Sequence, residues 1–304
     1  MCISGVRILG VLRTVRDWAC SVVFVVVFGL SMVVWDVALR CAGLFGKRPE
    51  TYVAGALQWW LLKLLAACGI GFELERSPRI ERGRSYIVVS NHQSMFDMPI
   101  HGSIFFWNFP KYIAKVELSR WIPSVSFHLR HGGHAIIDRR DRTSAVKAIE
   151  KLAREVVDEG FTAVIFPEGT RGKAGLLRRF KPAGTVALLK QAPDAQVVPV
   201  CIDESWRLMA RGMLPIPVGT TLKAWVGDPI PRSADEDPYA IVADCEAQIQ
   251  RAMARMRGTT VDGVLMPDEA PASNGDGTAH AAPHEVGAAP SSPPPAATIR
   301  SQAP

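Results

Sequence analysis

The chain has 304 residues, 48% of them hydrophobic, which is ample for one sizeable core in one or two domains. A net charge of +6 would suit nucleic acid, but no nucleic-acid motif accompanies it, and a mean hydropathy of +0.11 is high for a soluble protein. Six cysteines, Cys2, Cys20, Cys41, Cys68, Cys201 and Cys245, are scattered without a CxxC pair or zinc-type spacing, which leaves them as reduced thiols in apolar surroundings.

Residues 18–35, WACSVVFVVVFGLSMVVW, form an 18-residue run without a charge, just long enough to cross a bilayer. Trp18 and Trp35 flank it at headgroup level, where amphipathic rings collect. The run exceeds the apolar region of a secretory signal, and Asp36, Arg40 and Gly46-Lys47-Arg48 follow it in place of a small-residue cleavage site. An uncleaved anchor is therefore expected over a signal peptide. Arg7, Arg13 and Arg16 precede the run while Arg40, Lys47 and Arg48 follow it, so basic residues do not orient it. A second apolar stretch, residues 53–70, carries Gln58 and Lys63 beside Trp59 and Trp60. It fits the return arm of a helical hairpin, or an interfacial helix, better than a core helix.

Further along, strand and helix patterns alternate. Short β-branched runs at 85–90, 112–114, 135–138, 162–166, 197–202 and 221–226 predict strands. Residues 143–159 place Val146, Ile149, Leu152, Ala153, Val156 and Val157 at helical spacing before Gly160, and a further helix is predicted from Pro238 to Arg257, stopped by Gly258. Strands separated by helices make an α/β fold, a mixed sheet flanked by helices. The expected organisation is membrane-anchoring helices over 1–71, the α/β domain over 72–265 and a disordered Pro/Ala/Ser-rich tail over 266–304. Asp268, Glu269, Asp276, Glu285 and Arg300 give the tail −3, leaving about +9 on the rest, a balance suited to anionic membrane lipids.

The first of these strands runs into Ser90-Asn91-His92-Gln93-Ser94-Met95-Phe96-Asp97, which sets a histidine and a carboxylate five residues apart. In an unbroken helix the two side chains would lie about 140° apart. They meet only across a bend, with a strand ending near Ser90, a turn at 91–92 and a helix from near Ser94, where Asn91 or Ser94 satisfies orphan N–H groups. A carboxylate on one ring nitrogen would leave the other free as a general base, and no G-x-S-x-G sequence supplies an enzyme nucleophile. A histidine that merely caps a helix beside a solvated Asp97 fits the same spacing.

FTAVIFPEGTRG places Glu168, Gly169, Thr170 and Arg171 directly after a buried strand. There glycine lets the backbone approach a ligand, and arginine can grip an oxyanion with two N–H donors. The spacing is not that of a P-loop. A surface turn, with Arg171, Lys173, Arg178, Arg179 and Lys181 as a solvated or lipid-facing rim, is the alternative. His128, His131 and His134 recur every third residue, but Gly132 and Gly133 interrupt a helical face and no carboxylate or cysteine joins them. Loop histidines and no metal site are expected.

Four blocks in order, NHQSMFD (91–97), GGHAIIDR (132–139), FPEGTR (166–171) and VVPVCI (197–202), resemble the glycerolipid acyltransferases related to 1-acyl-glycerol-3-phosphate acyltransferase, a specific combination over roughly 85–230. The resemblance implies that His92 is the catalytic base and Asp97 its orienting partner. It implies a phosphate site for the acceptor at Glu168, Gly169, Thr170 and Arg171, with Arg139 and Lys115 nearby, and a block around Pro199 that shapes acyl or acceptor binding. The reaction implied is transfer of an acyl chain from acyl-CoA or acyl-carrier protein to the free hydroxyl of a lysophospholipid acceptor, 1-acyl-glycerol-3-phosphate, giving phosphatidic acid. It needs no metal or organic cofactor and takes place at the cytosolic face of the cytoplasmic membrane. Ile136 stands where relatives often have Phe, Ser126 where a glycine often stands, and FKPAG (180–184) is one residue longer than the common FKxG; these bear on acceptor and chain-length choice. Acylation of another lyso-lipid and a non-catalytic lipid-binding role are the alternatives. The intact His92, Asp97, Glu168 and Arg171 argue against the second.

Overall fold

Val and Ile are the commonest residues in the runs read as strands, and the central strands of the fold are nearly continuous apolar stretches of this kind. The computed structural model describes residues 2–267 apart from 139 and 234, with only the backbone of 2–9 and 142; the expected tail, 266–304, lies almost wholly outside the described residues. The strands are β1 (Gly71–Arg76), β2 (Tyr86–Ser90), β3 (Pro110–Lys115), β4 (Ala135–Ile137), β5 (Thr162–Ile165), β6 (Gln196–Asp203) and β7 (Thr221–Val226). They form one sheet in the order β1-β7-β6-β2-β5-β3-β4. Every pair is parallel except β6 with β7, so the sheet is mixed, as expected.

Helices cover both faces. Ile87, Val89, Ala163, Ile165, Val197 and Cys201 point to one core, packed by α5 (Arg142–Glu159), α6 (Pro182–Gln191) and α7 (Pro238–Arg257). Tyr86, Val88, Val164, Val198, Val200 and Ile202 point to the other, beneath α2 (Lys47–Ala67) and α3 (Asp97–Ile104). Burial on both sides makes central parallel strands read as unbroken apolar runs, which is why β2 and β5 were visible in sequence. β1 was not. Its GFELER alternates Phe72 and Leu74 toward the core with Glu73 and Glu75, and those charges mask a short edge strand.

α1 (Cys2–Gly43) has 42 residues, about 63 Å at 1.5 Å per residue, and its Gly10–Gly43 portion is long and apolar enough to cross a membrane. One stripe of it, with Phe24, Met32 and Leu39 buried, lies along the domain. Polar ties help fix it: Ser21 Oγ accepts from the Ile216 N–H at 2.7 Å, and Asp36 Oδ1 accepts from the Ser124 N–H at 2.7 Å. The opposite stripe, including Val22, Val26, Leu30, Val33 and Val37, is exposed.

α2 returns antiparallel to α1, since Trp60 Nε1 donates to Ser31 Oγ at 2.8 Å and Cys68 lies against the Cys20 carbonyl. The expectation of a membrane-facing segment at 53–70 fits only one side of this helix. Trp59 and Trp60 face outward, while Leu57, Leu61, Leu64 and Leu65 are buried, the last two in the core that also holds Phe24 and Ile100.

The histidine triplet departs from the expected loop. His128 and His131 lie on α4 (Val125–His131), because Gly132 and Gly133 end that helix after His131 and do not prevent it. His128 pairs through Nδ1 with Glu50 Oε1 at 2.6 Å, and His134 Nδ1 accepts from the Tyr112 N–H at 2.9 Å. Two of the three histidines thus serve buried links between α2, α4 and β3.

Leu188 on α6 is fully buried, whereas Val146 on α5 is 40% exposed. Leu188→Ala should destabilise the fold by about 2–5 kcal/mol. Val146→Ala should stay within about 0.5 kcal/mol, both read by urea unfolding in detergent.

Candidate active site

β2, β5, β3 and β4 run in parallel, so whatever follows their last residues gathers at one edge of the sheet. His92 follows β2, Glu168 follows β5, Lys115 is the exposed last residue of β3, and β4 ends two residues before position 139, which lies outside the described residues.

The chain leaves β2, turns through 91–96 and enters α3 at Asp97. This bend brings His92 Nδ1 to 2.8 Å from Asp97 Oδ2. Asp97 is fully buried, and its carboxylate also accepts from the Gln93 N–H (2.7 Å), the Ser94 N–H (2.9 Å) and Ser205 Oγ (2.6 Å). Burial alone would raise the carboxyl; the hydrogen bond and charge of His92, with the bonds from Ser205 and Ser94, outweigh it and hold Asp97 below its ordinary value. An ionised Asp97 can only accept, so His92 Nδ1 carries a proton, and in the neutral ring Nε2 is the nitrogen with the lone pair. The ring stacks on Phe166, centroids 4.4 Å apart.

Neither Asn91 nor Ser94 caps α3 as expected, because the helix starts only at Asp97 and its N-cap, Phe96, makes no side-chain cap hydrogen bond. Ser94 Oγ accepts from the Phe96 N–H at 3.1 Å, while Asn91 bonds both the N–H and the carbonyl of Ile202 and so fastens the turn to β6.

The second constellation holds the first. Glu168 is buried; its Oε1 accepts from the His92 N–H at 2.7 Å and its Oε2 from the Arg178 N–H at 3.0 Å. The Gly172 N–H then donates to the His92 carbonyl at 2.9 Å, so the loop grips the backbone of His92 before and after its side chain. Gly169 adopts φ +69°, a left-handed conformation that favours glycine, and lets the loop turn outward. Thr170 and Arg171 are exposed, and Arg171 Nη1 lies 3.2 Å from Met209 Sδ. Glu168 is thus a brace, whereas Arg171 is an outward cation of the loop, with exposed Lys173 two residues on and exposed Lys181 beside Gly169.

Pro199 sits away from this edge, in mid-β6 opposite Val89, with its carbonyl accepting from the Gly227 N–H at 2.9 Å; it builds the strand and does not line the site. Ser205 and Phe166 complete the site without having been singled out in sequence. Phe166 opens the FPEGTR block, but Ser205 reaches Asp97 over 108 positions, and no local pattern marks it.

Residues 71–203 match the family model Acyltransferase. A 1-acyl-sn-glycerol-3-phosphate acyltransferase of Cocos nucifera is 29% identical over 69% of this chain, and the match spans 65% of that relative's length. The human 1-acyl-sn-glycerol-3-phosphate acyltransferase beta is 28% identical over 72% of this chain and 75% of its own. The crystal structure of a 1-acyl-sn-glycerophosphate acyltransferase from Thermotoga maritima superposes with a TM-score of 0.66 at 21% identity, covering 81% of this chain and 98% of that one, and so shares the fold.

Beneath the pair, buried His101 donates from Nδ1 to the Asp97 carbonyl at 2.7 Å; burial, against the raising effect of Asp97, pushes its pKa down to about 4 from 6.5. The unfolded chain binds this proton below pH 6.5 and the folded one only near pH 4, so the contribution is present above pH 6.5 and is lost as pH falls toward 4. Stability should drop across that window by up to about 3 kcal/mol from this group. A His101→Gln variant should show a flatter pH dependence of its unfolding midpoint over the same range.

Proposed function

We propose that this chain, whose residues 71–203 match an acyltransferase family model, is a membrane-associated O-acyltransferase that converts 1-acyl-glycerol-3-phosphate into phosphatidic acid. The observation that carries the reading is the His92–Asp97 pair, held through the His92 backbone by the loop that presents Arg171.

The acceptor's phosphate lies against Arg171, whose planar fork suits two phosphate oxygens, near Gly169 and Thr170. Lys115, the exposed last residue of the neighbouring β3, adds positive charge at the same edge. The glycerol hydroxyl is then placed at His92 Nε2. As its oxygen attacks the carbonyl of the acyl thioester, Nε2 takes the proton, and the imidazolium is stabilised by Asp97. The tetrahedral intermediate collapses with loss of the thiolate, which recovers the proton, and the ester is left on the acceptor. Coenzyme A and acyl-carrier protein both supply such a thioester. Because the donor arrives activated, this chemistry asks for no metal or organic cofactor.

The membrane reading rests on α1 and on what surrounds its end. A cavity of about 590 Å³ beside it has Arg40, Arg120, Arg130 and Trp121 in its lining, Trp121 96% exposed, together with Asp36, which pairs with Arg40 at 2.7 Å and leaves the cations in excess. An aromatic ring among guanidinium groups suits the headgroup layer of anionic lipids, and a cytosolic placement at the cytoplasmic membrane gives access to soluble acyl donors.

Mass spectrometry of products from mixed acyl donors and a panel of lyso-lipids tests the assignment; phosphatidic acid should dominate, and a preference for another lyso-lipid would replace the acceptor. In the same assay His92→Ala should lower turnover at least ~10²-fold with the fold intact. Arg171→Lys keeps the charge without the fork, so it should raise the acceptor KM and leave the donor KM little changed. Near-normal turnover of His92→Ala would defeat the mechanism. Full-length protein should stay in the membrane pellet through high-salt and carbonate washes, since apolar burial holds it; release by salt alone would contradict an embedded α1.

A further inference from the structure

Arg257, the last residue of α7, lies 54 positions beyond the family match, yet it reaches the site. Its Nε donates to Asp203 Oδ2 at 2.7 Å, and its Nη2 donates both to Asp203 Oδ1 at 2.5 Å and to the Gly175 carbonyl at 2.8 Å. Gln93, the residue after His92, meets the same two acceptors: its Nε2 donates to the Gly175 carbonyl and to Asp203 Oδ1, each at 3.2 Å. One backbone carbonyl in the Arg171 loop is therefore held jointly by the residue beside the base and by the end of the C-terminal helix.

The position tolerates only glycine. Gly175 has φ +76°, and a Cβ there would fall 2.3 Å from Trp206 Nε1 and 2.7 Å from Arg257 Nη2. Two residues on, the Leu177 N–H donates to the Val264 carbonyl at 2.8 Å and the Met266 N–H to the Leu177 carbonyl at 3.0 Å. Glu168 closes the other side through the Arg178 N–H. The segment 168–178 is thus a ring tied at 168, 172, 175, 177 and 178, with Arg171 on its outer arc. Asp203 is buried and its charge needs a partner; the guanidinium supplies two parallel donors to it and still has one N–H for the carbonyl, a geometry an ammonium does not reproduce.

We propose that Arg257 is a positioning residue for the acceptor: by fixing the Gly175 carbonyl against Gln93, it sets where Arg171 stands relative to His92. The proposal rests on the assignment of the Arg171 loop to the acceptor's phosphate.

Full-length protein in detergent, with 1-acyl-glycerol-3-phosphate and acyl-CoA, tests it. Arg257→Ala should raise the acceptor KM ~10-fold or more, with the donor KM within ~2-fold of wild type. Arg257→Lys should fall between, and added guanidinium ion should lower the acceptor KM of Arg257→Ala without lowering that of wild type. Hydrogen exchange of the amides at 169–178 should quicken in Arg257→Ala while β2 amides keep their protection. A folded Arg257→Ala with an unchanged acceptor KM, or with acceptor and donor KM raised alike, overturns the proposal. Should Arg257→Ala not fold, Gln93→Leu, which removes both Gln93 bonds at similar size, carries the same expectation and the same defeat. A wild type that acylates a different lyso-lipid overturns the acceptor assignment alone, and the KM comparison is then read on that lipid.

Discussion

A carboxylate with no exposed surface must be surrounded by donors, and at Asp97 that requirement organises the whole upper edge of the sheet. The donors come from His92, Gln93 and Ser94 on one side of a sharp bend and from Ser205 beyond β6 on the other. Removing a partner from such a buried charge costs about 3–5 kcal/mol, so the bend, the start of α3 and the β2–β6 pairing are energetically one object. Orientation of the imidazole follows without further structure: the same bonds that make burial of Asp97 tolerable fix the tautomer and direction of the His92 ring.

The second block of the site is organised by backbone more than by side-chain chemistry. Glu168 and Gly172 bond the two ends of the His92 residue, and the Gly175 carbonyl is held from Gln93 and Arg257. His92 and the outward Arg171 are consequently parts of one frame, and under the proposed function an acceptor held at Arg171 would find its hydroxyl at a set distance from Nε2. Proximity of this kind lowers a barrier only where neither partner can drift.

Much of this was legible in the sequence. The His92–Asp97 pair could be placed because both residues lie in one short block and can meet only across a bend at a strand end. β2, β5 and β6 were visible because central parallel strands are apolar on both sides. Other features were hidden for the same physical reasons in reverse: β1 carries edge charges, and α4 ends on the glycines that suggested a loop. Glu168 looked like part of an anion site because its neighbours are glycine and arginine, whereas its carboxylate faces inward to backbone N–H groups. Ser205 and Arg257 act over 108 and 54 positions, distances at which a linear pattern carries no signal.

The two borders of the sheet carry a further consequence. β4 is three residues long, and β1 presents Glu73 and Glu75, the latter bridged to Arg255 at 2.8 Å. Molecules held at a bilayer share an orientation and meet repeatedly in two dimensions, conditions in which an open, flat border strand would zip onto its neighbour. A border too short to template a partner on one side and a charged one on the other keep crowded copies from merging into fibrous sheets.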